Sequence, residues 1–456
     1  SDARYHTDEE NGIVWYDETS KQQMASSDIF LPGHTYTVTL NLCAEGYSSF
    51  KSPSAFYHYA SVNGKLANSK LIANSNSQKM QLVYTFAPLP FAVSAAIFPD
   101  AWFRDYVSNY IDTDGNGYLT DAERLAVTEI DINGLSDGTY YWAINSLEGI
   151  GVFPNLEYLY CNCKLSTLDL SGNTRLIEVR VNNDDWSTGM TALNVTGCTE
   201  LESLSCYSQA LTSLDLTTNT KLKELNVNGN KLTGLYTKKN PLLESLDVGY
   251  NKGLTALYLD SNTKLRSLSF NNTSITSIDL TPLAALDYLR CDHCGIKALN
   301  VTKNPALTRL DCSYNDLTAL DVTKNPKLTY IDCRYNGLKS IDISRCPALR
   351  YLNCVANKLT ALDLGGTVMS ELYCYGNGIT KLTLYKGTKL MGAYTGSYHP
   401  DRTEDINGKT VEYTFYSASG GVLAVEKTVK IVTTAILGDA DHNGRVQPAD
   451  AALILA

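Results

Sequence analysis

The chain has 456 residues, of which 38 are basic and 48 are acidic, so its formal net charge is −10. This acidic balance argues against nucleic acid or an anionic membrane as the main partner. The longest apolar run, "LPFAVSAAIF", is far too short to span a membrane, and from the start "SDARYH" we expect a mature or trimmed product.

Residues 1–92 alternate between polar and apolar side chains, a pattern typical of β-strands separated by Gly and Asn turns. In "HTYTVTLNL", for example, Tyr36, Val38, Leu40 and Leu42 face one way. The segment resembles the immunoglobulin-like modules of bacterial secreted proteins, and this resemblance implies an N-terminal β-sandwich.

Residues 93–150 contain a candidate metal site and the N-terminal cap of the next domain. The stretch "DTDGNGYLTDAE" follows a segment with helical spacing and has Gly117 at the sixth position of a twelve-residue loop. The loop resembles an EF-hand, which implies calcium held by Asp112, Asp114, Asn116, the Tyr118 carbonyl, Thr120 and Glu123. We expect calcium here to stiffen the junction with the next domain, and the alternative is an Asp- and Asn-rich turn without an ion.

Residues 151–395 repeat with a period of about 21 residues, as in "LTRLDCSYNDLTALDVTKNPK" and "LTYIDCRYNGLKSIDISRCPA". The unit L-x-x-L-x-C-x-x-N-x-L-x-x-L-D-L resembles the leucine-rich repeat family. The resemblance implies a mainly β solenoid, a horseshoe with little helix, in which each L-x-x-L-x-C segment is a strand of the concave face. The copies begin at Leu156, Leu176, Leu201, Leu222, Leu243, Leu265, Leu286, Leu307, Leu328, Leu349 and Met369, with a partial copy at Leu390.

The same repeat predicts a buried asparagine ladder that satisfies backbone groups in the turns. Its members are Asn230, Asn251, Asn315, Asn336, Asn357 and Asn377. The first copy is one residue short at "CNCKL" and the second carries the insertion "DDWSTGMT", so irregular register is expected there.

The stretch "CDHC" at residues 291–294 raises the question of a metal or thiol site. The repeat places one cysteine column inward, where a thiol acts as a small buried hydrophobe: Cys161, Cys206, Cys291, Cys312, Cys333, Cys354 and Cys374. Cys294 also points inward, whereas Asp292 and His293 point out to the concave surface, so the four side chains diverge from any common ion. We therefore predict buried, reduced thiols without disulfides along the column.

The end of the chain predicts a cap and a second calcium loop. Residues 396–435 are typical of strands that close the far end of the array. Residues 436–456 include "GDADHNGRVQPADAALILA", which resembles one repeat of a dockerin, a module that binds cohesins. The resemblance implies calcium at Asp439, Asp441, Asn443, the Arg445 carbonyl and Asp450. Because a dockerin has two such repeats, cohesin is expected as a partner only if a second repeat follows.

The outward positions of the predicted strands divide the array into two halves. From Ser203 to Asn272 they carry mainly Ser, Asn and Gly, and from Leu286 onward they carry residue types found at interaction hot spots. We predict that this second half binds a protein or peptide through Tyr288, Arg290, His293, Arg309, Asp311, Tyr314, Tyr330, Asp332, Arg334, Tyr335, Tyr351, Tyr373 and Tyr375, with Tyr288, Tyr330, Tyr351 and Tyr373 in one row. The alternative is that these side chains only stabilise a solvated sheet.

These observations predict a secreted or cell-surface bacterial recognition protein that is not an enzyme. The enzyme alternative depends on Asp311 and Asp332, whose carboxylates would lie about 5 Å apart, as in retaining glycosidases. Nearby arginines favour two ordinary ionised carboxylates instead. A second alternative is a cellulosome-associated subunit that carries the dockerin and binds a plant polysaccharide.

Overall fold

A computed structural model describes residues 5–7, 13–25, 36–44, 61–62, 65–66, 68–71, 79–85, 91–133, 143–183, 189–364, 367, 369–385, 390, 402–406, 408–418 and 421–434. The chain divides into two compact units. One consists of residues 1–98 and 104–124, and the other of residues 99–103 and 125–456.

The N-terminal unit contains an antiparallel sheet. Its strands are β1 (Tyr5–Thr7), β2 (Ile13–Asp17), β3 (Gln22–Gln23), β4 (Tyr36–Ala44), β5 (Ser61–Val62), β6 (Lys65–Leu66), β7 (Asn68–Leu71), β8 (Lys79–Thr85), β9 (Phe91–Ala92) and β10 (Tyr118–Leu119). Six of them form one sheet in the order β3-β2-β4-β8-β7, with β1 also paired to β4. Tyr36 and Val38 are buried, as their alternation predicts. The second sheet of a sandwich stays a prediction.

Two helices flank residues 111–120. Helix α1 (Ala101–Tyr110) begins after Asp100, whose carboxylate accepts hydrogen bonds from the backbone N–H groups of Trp102 and Phe103, each at 2.9 Å. Helix α2 (Asp121–Ala126) follows β10. The chain between the two helices is the predicted calcium loop.

The second unit is a solenoid built on one long sheet. The solenoid contains β11 (Glu129–Asp131), β12 (Tyr158–Tyr160), β13 (Thr167–Asp169), β14 (Glu178–Arg180), β15 (Ala192–Asn194), β16 (Ser203–Ser205), β17 (Glu224–Asn226), β18 (Ser245–Asp247), β19 (Ser267–Ser269), β20 (Tyr288–Arg290), β21 (Arg309–Asp311), β22 (Tyr330–Asp332), β23 (Tyr351–Asn353) and β24 (Glu371–Tyr373). A 3₁₀ turn at Ile150–Val152 lies between β11 and β12, and β13 and β15 pair with each other outside the long sheet. The copies that begin at Leu156 through Met369 each supply one strand, β12, β14 and β16–β24, which confirms the predicted solenoid. The sequence pattern does not predict β11, which pairs with β12 at the start of the sheet.

Five strands follow β24, and three of them continue the long sheet. The five are β25 (Lys381–Tyr385), β26 (Arg402–Ile406), β27 (Lys409–Ala418), β28 (Gly421–Glu426) and β29 (Lys430–Thr434). Strand β28 pairs in parallel with β24, and β27 and β26 follow in antiparallel order, which gives a sheet of 15 strands. Strands β25 and β29 pair with each other in a separate sheet.

The predicted asparagine ladder is present in the turns that follow β17, β18 and β21–β24. Asn357 is typical: its Nδ2 donates to the backbone carbonyls of Cys333 and Cys354 at 3.0 and 3.1 Å, and its Oδ1 accepts from the Leu338 N–H at 3.0 Å. Because these bonds join neighbouring repeats, each side chain fixes the spacing between two turns of the solenoid.

A second asparagine column lies in the core behind the sheet, and the sequence analysis missed it. Asn325 is fully buried, and its Nδ2 donates to the carbonyls of Val301 and Asn304 at 2.9 and 2.8 Å. The same position in other repeats holds Asn173, Asn219, Asn240, Asn262 and Asn304. The signal was the Asn that recurs in "TTNTKL", "TKNPAL" and "TKNPKL", just before the leucine that opens each copy.

Candidate functional site

The register of the parallel strands arranges the outward side chains in rows across the sheet. The first row is Tyr288, Arg309, Tyr330, Tyr351 and Glu371, and the second is Arg290, Asp311, Asp332, Asn353 and Tyr373. The predicted row of four tyrosines is therefore wrong for Tyr373. The copy that begins at Met369 puts Glu371, and not a tyrosine, in the first row.

The aromatic rings of the first row are packed against one another. The Tyr330 and Tyr351 rings stack at a centroid distance of 4.2 Å, and the Arg309 guanidinium lies 3.8 Å from the Tyr330 ring centroid. Both faces of the Tyr330 ring are therefore in contact with neighbours. A ligand could therefore contact the ring edges, the hydroxyl groups and the exposed side of Arg309.

A second aromatic row lies in the turns that follow the strands. His293 stacks on Tyr314 at 4.2 Å, and Tyr314 stacks on Tyr335 at 4.5 Å. All three residues have positive φ, between 52° and 56°, a conformation that costs non-glycine residues about 1 kcal/mol or more. The turn thus presents an imidazole and two phenol rings side by side at one edge of the sheet.

Two of the predicted ligand-binding tyrosines contact the C-terminal strands. The hydroxyl groups of Tyr335 and Tyr375 donate to the two carboxylate oxygens of Glu404, at 2.6 and 2.7 Å. The Tyr375 ring also stacks on Tyr413 at 3.9 Å. These contacts give both tyrosines a structural role, because they attach β26 and β27 to the repeats.

Asp292 lies in a small cluster and is not at the surface, contrary to the sequence prediction. Its side chain is only 6% exposed, and its two oxygens contact the Arg290 Nε at 2.8 Å and the His293 Nδ1 at 2.9 Å. Cys294 points the other way, with its Sγ 3.2 Å from the Phe270 carbonyl oxygen. Asp292 therefore orients the side chains of Arg290 and His293.

Asp332 is also buried, and the prediction that it is an ordinary ionised carboxylate is wrong. Burial raises its pKa to about 6, although the Arg334 guanidinium, with its Nε at 3.4 Å, opposes the shift. Asp311 lies directly opposite on the neighbouring strand. Because Asp332 is 2% exposed, it has almost no surface on which to meet a substrate, which argues against the glycosidase alternative.

The cysteine column is buried, with one departure from the prediction. Cys161 forms a disulfide with Cys163 in the irregular turn of the first copy, where one residue separates the two cysteines and their Cα atoms lie 5.2 Å apart. Among the described residues, the free thiols are all buried: Cys198, Cys206, Cys291, Cys294, Cys312, Cys333, Cys346, Cys354 and Cys374. The prediction of a reduced thiol is therefore wrong for Cys161.

We expect the free thiols to be unreactive in the native protein. Burial raises the pKa of the Cys312 and Cys333 thiols well above the usual range, so the reactive thiolate is scarce. After native protein is treated with iodoacetamide, peptide mass mapping should therefore find Cys312 and Cys333 unlabelled, whereas both should be labelled in urea-unfolded protein. Rapid labelling of Cys312 or Cys333 without unfolding would contradict the buried column.

The predicted calcium loop brings three carboxylates together. Asp112, Asp114 and Glu123 place oxygen atoms within 4.8 Å of one another. The loop backbone curls around them: the N–H groups of Asn116 and Gly117 donate to Asp112 at 3.2 and 2.8 Å. Gly117, at the predicted sharp turn, has a φ of 80°. Carboxylate oxygens at this spacing fit a hard cation such as calcium.

The other predicted ligands are distributed around this group. The Asn116 Nδ2 donates to Asp114 at 2.7 Å, and the Thr120 hydroxyl donates to Glu123 at 2.8 Å. Tyr118 lies in β10, which pairs with β9. The second predicted calcium loop lies outside the described residues: Asp439, Asp441, Asn443, Arg445 and Asp450.

The repeated strands, the two asparagine columns and the cysteine column together define a leucine-rich repeat solenoid. A family model described as "Leucine Rich repeat" matches residues 218–235. The functional domain of InlJ from Listeria monocytogenes, described as including a cysteine ladder, has a similar fold: the TM-score is 0.56 at 22% identity, over 76% of this chain and 99% of that one.

Two further bacterial structures have lower similarity. The internalin InlF from Listeria monocytogenes has a TM-score of 0.48 at 20% identity, over 65% of this chain and 92% of its own. The effector YopM from Yersinia pestis has a TM-score of 0.45 at 22% identity, over 55% of this chain and 67% of its own. No curated protein matches the sequence. Within the described residues, no helix has both the length and the apolar character that a membrane crossing requires.

Proposed function

We propose that the outward face of strands β20–β24 binds a protein or peptide, and that the chain is a non-enzymatic recognition protein, secreted or on the surface of a bacterium. The observation that carries this proposal is the row from Tyr288 through Arg309 and Tyr330 to Tyr351, which replaces the serines of the earlier strands. Stacked rings and ordered arginines lose little entropy on binding, and they belong to the residue types enriched in hot spots. The proposed location, secreted or on the cell surface, is supported by the similarity of the fold to that of InlJ.

The stacking within the row favours a protein or peptide over a neutral glycan. A sugar ring binds a tyrosine through the face of the ring, and Arg309 and Tyr351 already contact the faces of Tyr330. The Arg309 guanidinium is exposed and forms no ion pair within the described part of the chain. An acidic or carbonyl-rich partner would satisfy its remaining donors.

We expect Tyr330→Ala and Arg309→Ala each to weaken ligand binding by about tenfold or more, since both remove a hot-spot side chain from one packed row. A phage-displayed peptide library selected on the full chain would supply the probe. Isothermal titration calorimetry of the selected peptide then gives the affinity for each variant, and raising the salt concentration should weaken binding to the parent chain.

The matched control is Tyr258→Ala. Tyr258 is 70% exposed and belongs to no strand of the long sheet, so its loss should change the affinity by less than about twofold. Equal losses for Tyr258→Ala and Tyr330→Ala would place the binding surface elsewhere.

We also propose that the loop from Asp112 to Glu123 binds calcium and stabilises the chain around it. The support is the convergence of the three carboxylates within 4.8 Å. A ligand that binds only the folded state adds about 2.7 kcal/mol at one hundred times its Kd, so calcium should raise the melting temperature of the parent chain above its value in chelator.

Glu123→Gln should abolish most of this rise, because it removes the charge of the residue at loop position twelve. Glu148→Gln makes the same change in charge outside the loop, at an exposed side chain, and should leave the calcium effect intact. A melting temperature that does not respond to calcium in the parent chain would refute the proposal. The cellulosome alternative depends on residues 436–456, outside the described part of the chain, and we do not favour it.

A further inference from the structure

The outward sheet face has a depression beside the tyrosine-rich rows. It lies over strands β14 and β16–β20 and has a volume of about 470 Å³, within the range typical of ligand sites. Its floor is formed by the serines of three strands: Ser203, Ser205, Ser245, Ser267 and Ser269.

Side-chain size explains why the surface is low at this point. Ser267 and Ser245 lie in the same row as Tyr288, one and two strands away from it respectively. A serine side chain is much shorter than a tyrosine side chain, so the surface over these strands is lower than the surface over β20. The Tyr288 side chain therefore lines one side of the depression. The depression is therefore a direct result of the sequence contrast between the two halves of the array.

The negative charges around the depression exceed the positive charges that are free to neutralise them. The arginines at its two ends have their own partners: Arg180 pairs with Glu178, and Arg290 pairs with Asp292. The two carboxylates between them, Glu224 and Asp247, form no ion pair with any described residue.

The polar contacts of these carboxylates leave acceptor oxygens free. Asp247 accepts from the Gly249 N–H at 2.9 Å and from the Asn228 Nδ2 at 3.1 Å, both at Oδ1. Within the described residues, Glu224 accepts a single long hydrogen bond, from the Ser203 hydroxyl at 3.4 Å. The uncompensated charge of the depression is therefore −2, one from each carboxylate.

We propose that this depression binds a cationic group, the guanidinium or ammonium group of an arginine or lysine side chain. Glu224 and Asp247 would accept its hydrogen bonds, and the Tyr288 wall would contact the side-chain stem or the charge itself. A neutral occupant would bury the two carboxylates without compensation, which is unfavourable. The proposal depends on the proposed function only for the source of the cation, a peptide or protein ligand.

The distance between Asp247 and Arg309 also predicts the spacing of charged residues in the ligand. Strands β18 and β21 are three steps apart, which is roughly 14 Å at 4.8 Å per strand. About four residues of extended peptide cover this distance. A ligand with a basic residue and, about four positions away, an acidic residue would thus place one over Asp247 and the other over Arg309.

The probe for a test is a fluorescein-labelled hexa-arginine peptide, with a hexaserine peptide as the neutral comparison, measured by fluorescence anisotropy on the full chain. We expect hexa-arginine to bind and hexaserine not to bind. The double variant Glu224→Gln with Asp247→Asn should weaken hexa-arginine binding by about tenfold, and Asn at position 247 keeps an acceptor for the Gly249 N–H.

Because the chain has a net charge of −10, the control must remove the same charge elsewhere. Asp279→Asn with Asp321→Asn does so at two exposed turns, and Asn300 shows that asparagine fits this turn position. The control should change the affinity by less than about twofold. An equal loss in both double variants, or no loss in either, would overturn the proposal.

Tyr330→Ala separates this inference from the proposed function. It should leave hexa-arginine binding unchanged, because Tyr330 lies outside the depression. If Tyr330→Ala has no effect on a selected peptide while the depression variants still lose hexa-arginine, the proposed function fails and the cation site stands. Circular dichroism of each variant confirms that the fold is retained.

Discussion

Replacing Asn325 with alanine should lower the free energy of unfolding by about 2–4 kcal/mol, the largest effect that we expect from a single polar residue. The side chain is fully buried, and its amide donates to the carbonyls of Val301 and Asn304. Alanine would remove both hydrogen bonds, at about 0.5–1.5 kcal/mol each, and would leave a cavity, while the two carbonyls keep the backbone N–H groups of Asn304 and Leu307 as donors. Urea unfolding followed by circular dichroism measures the change.

Two comparison variants make this test specific. Asn300→Ala, in the preceding repeat, removes an exposed asparagine whose contacts are confined to its own turn, and should cost less than about 1 kcal/mol. Asn325→Cys should be milder than alanine, because Cys346 occupies the equivalent position and directs its thiol at two carbonyls, 3.6 and 3.7 Å away. Equal losses for Asn300→Ala and Asn325→Ala would refute the role of the second column.

Asp332→Asn should stabilise the protein at pH 7 by about 1–3 kcal/mol. Burial raises the pKa of this carboxyl from 3.8 to about 6, so the folded state binds the proton more tightly than the unfolded state does. Between these two values stability therefore falls as the pH rises, and at pH 7 the folded protein contains a disfavoured carboxylate. A shift of about two units corresponds to about 3 kcal/mol at most.

The pH dependence distinguishes this explanation from a simple packing change. The difference in unfolding free energy between Asp332→Asn and the parent chain should shrink as the pH falls from about 6 to about 4. Asp342→Asn is the control, because hydrogen bonds from Ser344 lower the pKa of that exposed carboxyl, so its contribution has the opposite sign. A difference for Asp332→Asn that is constant between pH 4 and pH 7 would contradict the prediction.

The solenoid was predictable because its positions recur. A leucine, a cysteine or an asparagine that returns every copy identifies a buried column, and this pattern fixed the strands from β12 to β24 within the long sheet. The same logic extends to the second asparagine column, whose signal was in the sequence but was not used. Register failed only at Tyr373, where one misaligned copy moved a residue to the wrong row.

The site was less predictable because it depends on contacts between distant residues. Tyr335 and Glu404 are separated by 69 positions in the sequence, and nothing in a repeat indicates that they bind each other. The burial of Asp332 and Asp292 follows from the rings and guanidinium groups packed above them, and an outward position alone predicts exposure. The depression was not predictable for a similar reason: a row of serines forms a depression only because larger side chains lie on the neighbouring strands.

The aromatic residues in the positive-φ turns occupy a backbone conformation that favours glycine, so their presence there indicates selection for the side chain. Two other repeats place glycine at this position, Gly229 and Gly376, where the backbone adopts the same conformation without strain. Replacement of Tyr314 by glycine would thus relieve the backbone and remove a ring from the surface, whereas Tyr335 is also held by its hydrogen bond to Glu404. Retention of an aromatic residue at Tyr314 over many generations would therefore indicate selection for the exposed surface itself.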